Sequence, residues 1–172
     1  MKLLFDFGGV LVDLDRERVV NAFAELGLDM HNYLGAYRQS GPFSLLEQGK
    51  ISVHEFCNEI RNLTGHTELT DESIVKAWKA FLPGVPAERL ENAAEKSKQH
   101  YSVNLLSNTN VIHWQQACDD FFHYHDREVN DFSTRFSCRT NWASKNQNRA
   151  FTKPLSRLGC AGKRDLFLTT AR

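Results

Sequence analysis

The sequence predicts an α/β fold in which a parallel sheet carries an inserted block of helices. Two short apolar runs, residues 3–7 and 102–106, are each followed by glycines or small polar residues, as buried strands often are. Between the two runs, apolar residues recur at the helical period in several segments. Helices that alternate with apolar strands are typical of parallel sheets, so we interpret the helices after the first strand as a cap inserted into that sheet.

The predicted helices are delimited by residues that favour helix ends. Asp15 is a suitable N-cap for the first helix, which ends at Gly27. Ser52 and Glu55 form a capping box that begins the second helix, and Gly65 ends it. The sequence predicts helices over about 15–27, 52–65, 74–82, 86–99 and 112–121.

The length and composition are those of one globular domain, or of one domain with an insertion. The 41% apolar and 24% charged residues exclude a disordered chain. No apolar run reaches the roughly 18 residues that a membrane span needs. No signal-peptide layout precedes the first strand, so we expect a cytoplasmic protein. The four cysteines show no paired spacing, which predicts neither a zinc site nor a disulfide framework.

The zero net charge conceals two segments of opposite sign. Residues 1–132 contain 12 Lys and Arg against 20 Asp and Glu, a net charge of −8. Residues 133–172 contain nine Lys and Arg against Asp165 alone, a net charge of +8. Such a basic tail is one signature of nucleic-acid binding. From residue 133 the sequence also loses any sustained period of 2 or 3.6, although the preceding sequence is locally consistent.

Residues that can bind and attack a phosphoryl group follow both predicted strands. Asp6, Gly8 and Gly9 end the first strand, and Ser107 and Asn108 end the second. Ligands bind at the carboxyl ends of parallel strands, so these groups should share one crevice. A carboxylate there can attack phosphorus, while backbone amides around the glycines and a serine hydroxyl donate hydrogen bonds to the phosphoryl oxygens. In the alternative interpretation Asp6 caps the turn, and the Ser-Asn pair begins a helix.

The same residues carry a resemblance to a known family. Leu-Leu-Phe-Asp-Phe-Gly-Gly-Val-Leu-Val-Asp (3–13) resembles motif I of the haloacid dehalogenase (HAD) superfamily, and Val-Asn-Leu-Leu-Ser-Asn-Thr (103–109) resembles its motif II. The helices between them resemble the small helical cap of the phosphatase branch, in particular that of sugar-phosphate phosphatases. The resemblance implies a Rossmann-like parallel sheet and divides the chain into a partial core, 1–14 and 86–132, and a cap, 15–85.

The resemblance also implies a magnesium-dependent hydrolase of a small phosphorylated metabolite that works through an aspartyl-phosphate. Asp6 would be the nucleophile and a Mg²⁺ ligand, and the Gly8 carbonyl would be a second ligand. Gly8, Gly9, Ser107 and Asn108 would bind the phosphate. Most phosphatases of the family carry a second aspartate, the general acid, where this chain has Gly8. Because dehalogenases also lack that aspartate, a dehalogenase-like hydrolase is an alternative.

The residues that complete the family's site are not visible in the tail. The family needs a lysine beside the nucleophile and an acidic pair at the magnesium site, both C-terminal to residue 132. Lys153 and Pro154 imitate the family's lysine-proline pair without a matching strand before them, and Asp165 is a single acid. We therefore predict a core whose C-terminal part is missing or scrambled, and an impaired or inactive chain.

The genetic code links these absences to a shifted reading frame. Reading the third base of each codon together with the first two bases of the next codon gives a shifted frame. In that frame the codon that spans Asn141 and Trp142 must encode Leu, and the codon that spans Trp142 and Ala143 must encode Gly. From Phe132 the permitted codons can read Phe-Asp-Lys-Val-Phe-Leu-Ser-Tyr-Glu-Leu-Gly-Leu-Glu-Lys-Pro-Glu-Pro-Arg-Ile-Tyr, and from Leu166 they can read Leu-Phe-Phe-Asp-Asp-Ser. This reading contains a strand, a lysine-proline loop and paired aspartates in the family's order. We therefore predict a frameshift near codon 132.

A frameshifted tail has consequences for folding and for partners. Residues 133–172 should be poorly ordered, and the first strand, apolar and unpaired on one side, should favour aggregation or self-association. The basic charge is then an accident of the frame, so we expect no nucleic-acid and no membrane partner. Two alternatives stay open: an inactive remnant, and a binding protein that uses the basic tail. A steep salt dependence of binding would indicate the latter.

Other residues have simpler interpretations. We expect His113 on a helix surface, and Trp78 and Trp114 in the packing of the core or cap. Arg16 is expected to be a surface charge at a helix start, although it could face a substrate, and the loop that begins at Glu47 could contact substrate. Turn, cap or solvated positions are expected for Asp13, Asp15, His123 and His125.

Overall fold

The sheet in the computed structural model has four parallel strands in the order β3–β2–β1–β4. They are β1 (Lys2–Asp6), β2 (Ser102–Ser107), β3 (Arg135–Cys138) and β4 (Leu166–Thr169). The structure describes residues 2–35, 39–98, 102–107, 109–121, 135–138 and 166–169. Both strands predicted from the sequence are present, and they are neighbours in one parallel sheet. The predicted α/β class is therefore confirmed.

Most of the described chain between β1 and β2 is helical. The helices are α1 (Arg16–Glu25), α2 (Gly41–Glu47), α3 (Val53–Thr64), α4 (Asp71–Lys79) and α5 (Ala87–Lys98), and β2 is followed by α6 (Val111–Gln116). A 3₁₀ turn (Met30–Asn32) follows α1, and a π-helical turn (Ala117–Phe121) extends α6. Among the described helices, none combines the length and the apolar character that a membrane crossing requires.

The predicted helix ends are confirmed where capping side chains define them. The Asp15 carboxylate accepts a hydrogen bond from the backbone N–H of Arg18 at 2.8 Å, which caps α1. Ser52 and Glu55 form the predicted capping box of α3, and Gly65 ends that helix in the left-handed conformation with φ +73°. Helix α2 was not predicted, because seven residues that begin with Gly-Pro resemble a turn more than a helix.

Helices α1 to α4 enclose an apolar core around Trp78. This side chain is fully buried, and its ring centroid lies 4.8 Å from that of Phe43. Ile112 of α6 belongs to the same buried cluster, so the cap packs directly against the helix that follows β2. Trp114 is also buried, and its ring lies 5.9 Å from that of Phe7. The expectation that both tryptophans are packing residues is confirmed.

The basic tail contributes two strands to the sheet. β4 pairs with β1, aligning Thr169 with Phe5, and β3 pairs with β2, aligning Cys138 with Ser107. The prediction that β1 has an unpaired edge is therefore wrong. Strand pairing uses backbone N–H and C=O groups, so a short extended segment can pair even when its side chains differ from those of a family. The rest of the tail, including the Lys153-Pro154 pair, lies outside the described residues, and so do His123 and His125, which precede the tail.

Candidate active site

Asp6 stands at the carboxyl end of the central strand, at the start of a tightly bonded loop. The backbone N–H groups of Leu11 and Val12 both donate to the Phe7 carbonyl, at 3.0 and 2.9 Å, and Gly9 takes a positive φ of +76°. Phe7 is buried beneath the loop, whereas Asp6 is exposed. The Asp6 Oδ1 accepts a hydrogen bond from the Phe7 N–H at 2.7 Å, which orients the carboxylate. The loop thus presents a carboxylate at the edge of the sheet where ligands bind.

A cavity of about 530 Å³ opens beside this carboxylate, between the sheet and the cap. Its core-side wall includes Asp6 and Gly8 from the loop after β1, and Thr109, Asn110 and His113 from the segment after β2. The cap contributes residues of α1, α2 and the segment after α4. The geometry therefore brings Asp6 and the segment that follows β2 to the wall of one cavity.

The phosphate-binding residues predicted from the sequence are only partly described. Asp6 is aligned with Leu106, so Ser107 follows directly on the neighbouring strand, while Asn108 lies outside the described residues. The N–H of Gly9 donates to the Val12 carbonyl at 2.7 Å, so this amide is engaged within the loop. The phosphate contacts of Gly8, Gly9, Ser107 and Asn108 stay predictions. Sequence reasoning did not assign a site role to Asn110, which caps α6 by accepting from the N–H of His113 at 3.0 Å.

His113 is a buried wall of the cavity, so the prediction of a surface position is wrong. The main-chain carbonyl of Trp78 lies 2.9 Å from its Nε2, and the Asn110 side-chain amide lies 3.0 Å from its Nδ1. Burial lowers the pKa of His113 to about 4, so the ring is neutral near pH 7. In the matching tautomer Nε2–H donates to the carbonyl and Nδ1 accepts from the amide. His113 is buried because it packs against α4. This helix is distant in sequence, so the residues near position 113 give no indication of the burial.

The buried state of His113 predicts a specific pH dependence of stability. Its pKa is lower in the folded protein than in the unfolded chain, so its contribution is complete above about pH 6.5 and is lost as the pH falls towards 4. We expect the free energy of unfolding to decrease in both the unchanged protein and His113→Gln when the pH is lowered from 7 to 4.5. The decrease should be about 2 to 3 kcal/mol larger in the unchanged protein. Urea denaturation at both pH values measures this. Equal pH dependence in the two proteins would contradict the buried neutral histidine.

Further hydrogen bonds join the core to the chain at the base of the cap. The Gln116 side-chain amide donates to the carbonyls of Lys79 and Leu82, at 3.2 and 3.1 Å. The N–H of Asp13 donates to the Gly84 carbonyl at 3.0 Å, so the two chain segments that lead into and out of the cap run together. Asp13 also forms an ion pair with Arg89 at 2.8 Å. These contacts hold the cap over the end of β1.

Two residues of the cap, and one residue just before it, also lie on the cavity wall. The Arg16 guanidinium donates to the main-chain carbonyls of Leu34 and Gly35, so it is more than the surface charge that was expected. Glu47 ends α2 and lines the cavity, and burial raises the pKa of its carboxyl group. Leu14, whose side chain is 47% exposed, also lines the cavity, and its methyl groups would lie 3.5 Å from a Cβ atom at Gly8.

The end of β1 offers oxygen ligands suited to a magnesium ion. Mg²⁺ binds hard oxygen atoms, and it commonly uses one or two carboxylates together with substrate phosphate and water. The Asp6 carboxylate and the Gly8 carbonyl meet this description. Within the described residues, no group of three or more His, Cys, Asp or Glu side chains completes a metal site. On the neighbouring strand β4, the residue aligned with Phe5 is Thr169, which carries no carboxylate. The donors present therefore fit part of a magnesium site.

The known proteins that this chain resembles include a phosphatase and HAD family hydrolases. No protein-family model matches the chain. D-ribitol-5-phosphate phosphatase of Bacteroides thetaiotaomicron is 41% identical over 131 residues, which are 76% of this chain and 63% of that protein. A wild-type HAD family enzyme from the same species, solved with magnesium and inorganic phosphate, has a TM-score of 0.70 and 36% identity over 78% of this chain and 66% of that one.

A HAD-like family hydrolase from Porphyromonas gingivalis is similar in structure as well. Its TM-score is 0.68 at 31% identity, and the match covers 78% of this chain and 64% of that one. This chain therefore spans slightly less than two thirds of the length of each of these three relatives.

Proposed function

Because this chain belongs to the haloacid dehalogenase superfamily of hydrolases, we propose that residues 1–132 carry the nucleophilic part of a magnesium-dependent phosphate monoesterase. The observation that carries the proposal is the position of Asp6. Its exposed carboxylate stands at the carboxyl end of the central strand and lines a cavity that the cap covers. We divide the chain as the motifs suggest, into a core of 1–14 and 86–132 and a cap of 15–85.

In the proposed reaction, an oxygen of the Asp6 carboxylate attacks the phosphorus of a bound phosphate monoester. The new bond makes an aspartyl-phosphate as the bond to the ester oxygen breaks, and the alcohol leaves after taking up a proton. Water then attacks the phosphorus, which releases inorganic phosphate and regenerates the carboxylate. Ser107 and backbone amides of the loop at Gly8 would donate hydrogen bonds to the phosphoryl oxygens. Bound magnesium would supply positive charge beside those oxygens.

The proposed substrate is a small phosphorylated polyol or sugar. One relative is named for its action on D-ribitol 5-phosphate, and another was crystallised with inorganic phosphate. The cavity of about 530 Å³ falls within the roughly 300–1,000 Å³ usual for small-molecule sites. Phe81 and Leu82 from the base of the cap also line it, so an ester bound at Asp6 would have apolar surface on the cap side.

We further propose that the residues after about 132 are read in a shifted frame. The curated relative aligns over 131 residues, close to the length of the segment that precedes the tail. The shifted reading gives Val-Phe-Leu-Ser at 135–138, the residues of strand β3, and Leu-Phe-Phe-Asp-Asp-Ser over 166–171, a segment that contains strand β4. The two strands of the tail therefore pair with β1 and β2. Thr169, the last residue of β4, occupies a position at which the shifted reading permits an aspartate. On this account the chain lacks the lysine and the acidic pair of the site and has impaired activity.

Sequencing the coding DNA from codon 125 to beyond the stop codon tests the shifted frame. We expect one inserted or missing base near codon 132, with the alternative frame open past the present stop. A frame that is uninterrupted in independent isolates, with no open alternative, would contradict the proposal. We call the protein encoded by the alternative frame the frame-restored protein.

Asp6→Asn tests the proposed nucleophile in the frame-restored protein. We expect at least a 100-fold loss of magnesium-dependent hydrolysis of a pentitol 5-phosphate, because an amide oxygen is a far weaker nucleophile than a carboxylate. Asp15→Asn is the matched control, because asparagine caps a helix about as well as aspartate and Asp15 stands outside the cavity lining. Similar activity in Asp6→Asn and in the control would show that another group attacks the substrate.

A further inference from the structure

The cap side of the cavity holds a buried acceptor that has no partner among the described residues. The side-chain oxygen Oε1 of Gln39 is buried and accepts no hydrogen bond from them. A backbone bridge between Leu34 and Gln39 holds this residue in place on the cavity wall. A buried polar atom without a partner is costly, so such an atom on the wall of a cavity indicates a hydrogen bond that a ligand supplies.

A second acceptor on the same side has no partner among the described residues. Glu47 lines the cavity from the end of α2, is partly buried, and makes no hydrogen bond or ion pair with them. Burial raises the pKa of this carboxyl group because nothing nearby offsets the loss of water. We call Gln39 and Glu47 together the acceptor pair.

The charged and polar neighbours on the wall do not meet the needs of this pair. The guanidinium of Arg16 donates to the main-chain carbonyls of Leu34 and Gly35, and the ring of His113 is hydrogen-bonded to Trp78 and Asn110. The other described cap residues of the wall are apolar or glycine and offer no side-chain donor, which favours a ligand that brings its own donors. Hydroxyl groups suit this wall better than an ammonium group, because the positive charge of Arg16 lines the same cavity.

We propose that the acceptor pair, Gln39 and Glu47, recognises hydroxyl groups of the substrate and selects phosphorylated polyols over phosphate esters with an apolar chain. The inference rests on the proposed function, which places the phosphate at Asp6 and the rest of the substrate towards the cap. Sites that hydrogen-bond a substrate hydroxyl reject the analogue that lacks it, because buried polar groups are then left unpaired. The acceptor pair therefore determines specificity and takes no part in the attack on phosphorus.

The test compares three ligands by NMR titration of the 172-residue protein with magnesium present. The ligands are a pentitol 5-phosphate, pentyl phosphate with the same carbon chain but no hydroxyl groups, and inorganic phosphate. We expect the pentitol phosphate to bind roughly 10- to 100-fold more tightly than pentyl phosphate. Gln39→Met and Glu47→Met should each reduce this ratio about fivefold or more and leave the affinity for inorganic phosphate unchanged.

Gln48→Met is the matched control for both substitutions. Gln48 is exposed, adjacent to Glu47 in sequence, and hydrogen-bonded to Ser44 at 2.7 Å rather than placed on the cavity wall. Its substitution should leave the ligand ratio unchanged. If inorganic phosphate and both esters bind but the two esters bind equally tightly, the proposed role of the acceptor pair is wrong, while the proposed function stands. If no phosphate compound binds to the 172-residue protein, the same titrations are made on the frame-restored protein. Absence of binding there as well overturns the proposed function, and this inference fails with it.

Discussion

The frame-restored protein is expected to hydrolyse a pentitol 5-phosphate at least about 1,000-fold faster than the 172-residue protein. Loss of a single electrostatic contact in an active site commonly costs about 10²–10³ in rate, and the tail lacks both the lysine and the acidic pair. Asp6 is the one carboxylate at the end of β1 among the described residues, and Thr169 on β4 supplies only a hydroxyl. Steady-state release of phosphate, measured with both proteins under identical magnesium concentrations, gives the ratio.

A further variant separates a catalytic defect from a folding defect in this comparison. In the frame-restored protein, replacing both paired aspartates at the end of β4 by threonine should lower activity towards that of the 172-residue protein while far-UV circular dichroism stays unchanged. A 172-residue protein that is as active as the frame-restored one would contradict the account. So would full activity in the double threonine variant.

Trp78→Ala is expected to lower the free energy of unfolding by about 3 to 5 kcal/mol, the range for truncating a large buried aromatic side chain. Trp78 is fully buried, and its ring lies within 6.5 Å of the rings of Phe23, Phe43, Phe56, Phe81 and His113. Its indole Nε1 makes no hydrogen bond with the described residues, so the loss is mainly one of packing. Urea denaturation followed by far-UV circular dichroism measures it without relying on tryptophan fluorescence.

Leu63→Ala is the control for the loss of an apolar side chain. Leu63 is 42% exposed on α3, and its truncation should cost less than about 1 kcal/mol. Trp78 also contacts His113 on α6. Loss of the tryptophan side chain should therefore weaken the packing of the cap against the core as well as lower the stability of the cap. A destabilisation by Trp78→Ala no larger than that by Leu63→Ala would contradict the central place of this residue in the cap.

Local signals account for most of what could be predicted from the sequence. Asp15, Ser52 and Glu55 act on the backbone within three residues, so the ends of α1 and α3 follow from the sequence alone. The loop at Asp6 likewise depends on adjacent glycines. The sequence therefore predicted where β1 and β2 end, while the site between them stays a prediction.

Contacts between segments distant in sequence account for what could not be predicted. His113 is buried because α6 packs against the end of α4, 35 residues earlier in the chain, and nothing near position 113 indicates this. The pairing of β4 with β1 joins residues at opposite ends of the chain through backbone groups, which side-chain patterns do not reveal.

Direct detection of a phosphoryl group on Asp6 tests the central claim of this account most directly. The frame-restored protein is mixed with a pentitol 5-phosphate and magnesium, quenched in acid, and reduced with borohydride, which converts an aspartyl-phosphate to homoserine. Peptide mass spectrometry then locates the modified residue. The account predicts homoserine at position 6, and none in the sample without substrate. Turnover of the substrate with Asp6 unmodified, or with the modification at another residue, would contradict it.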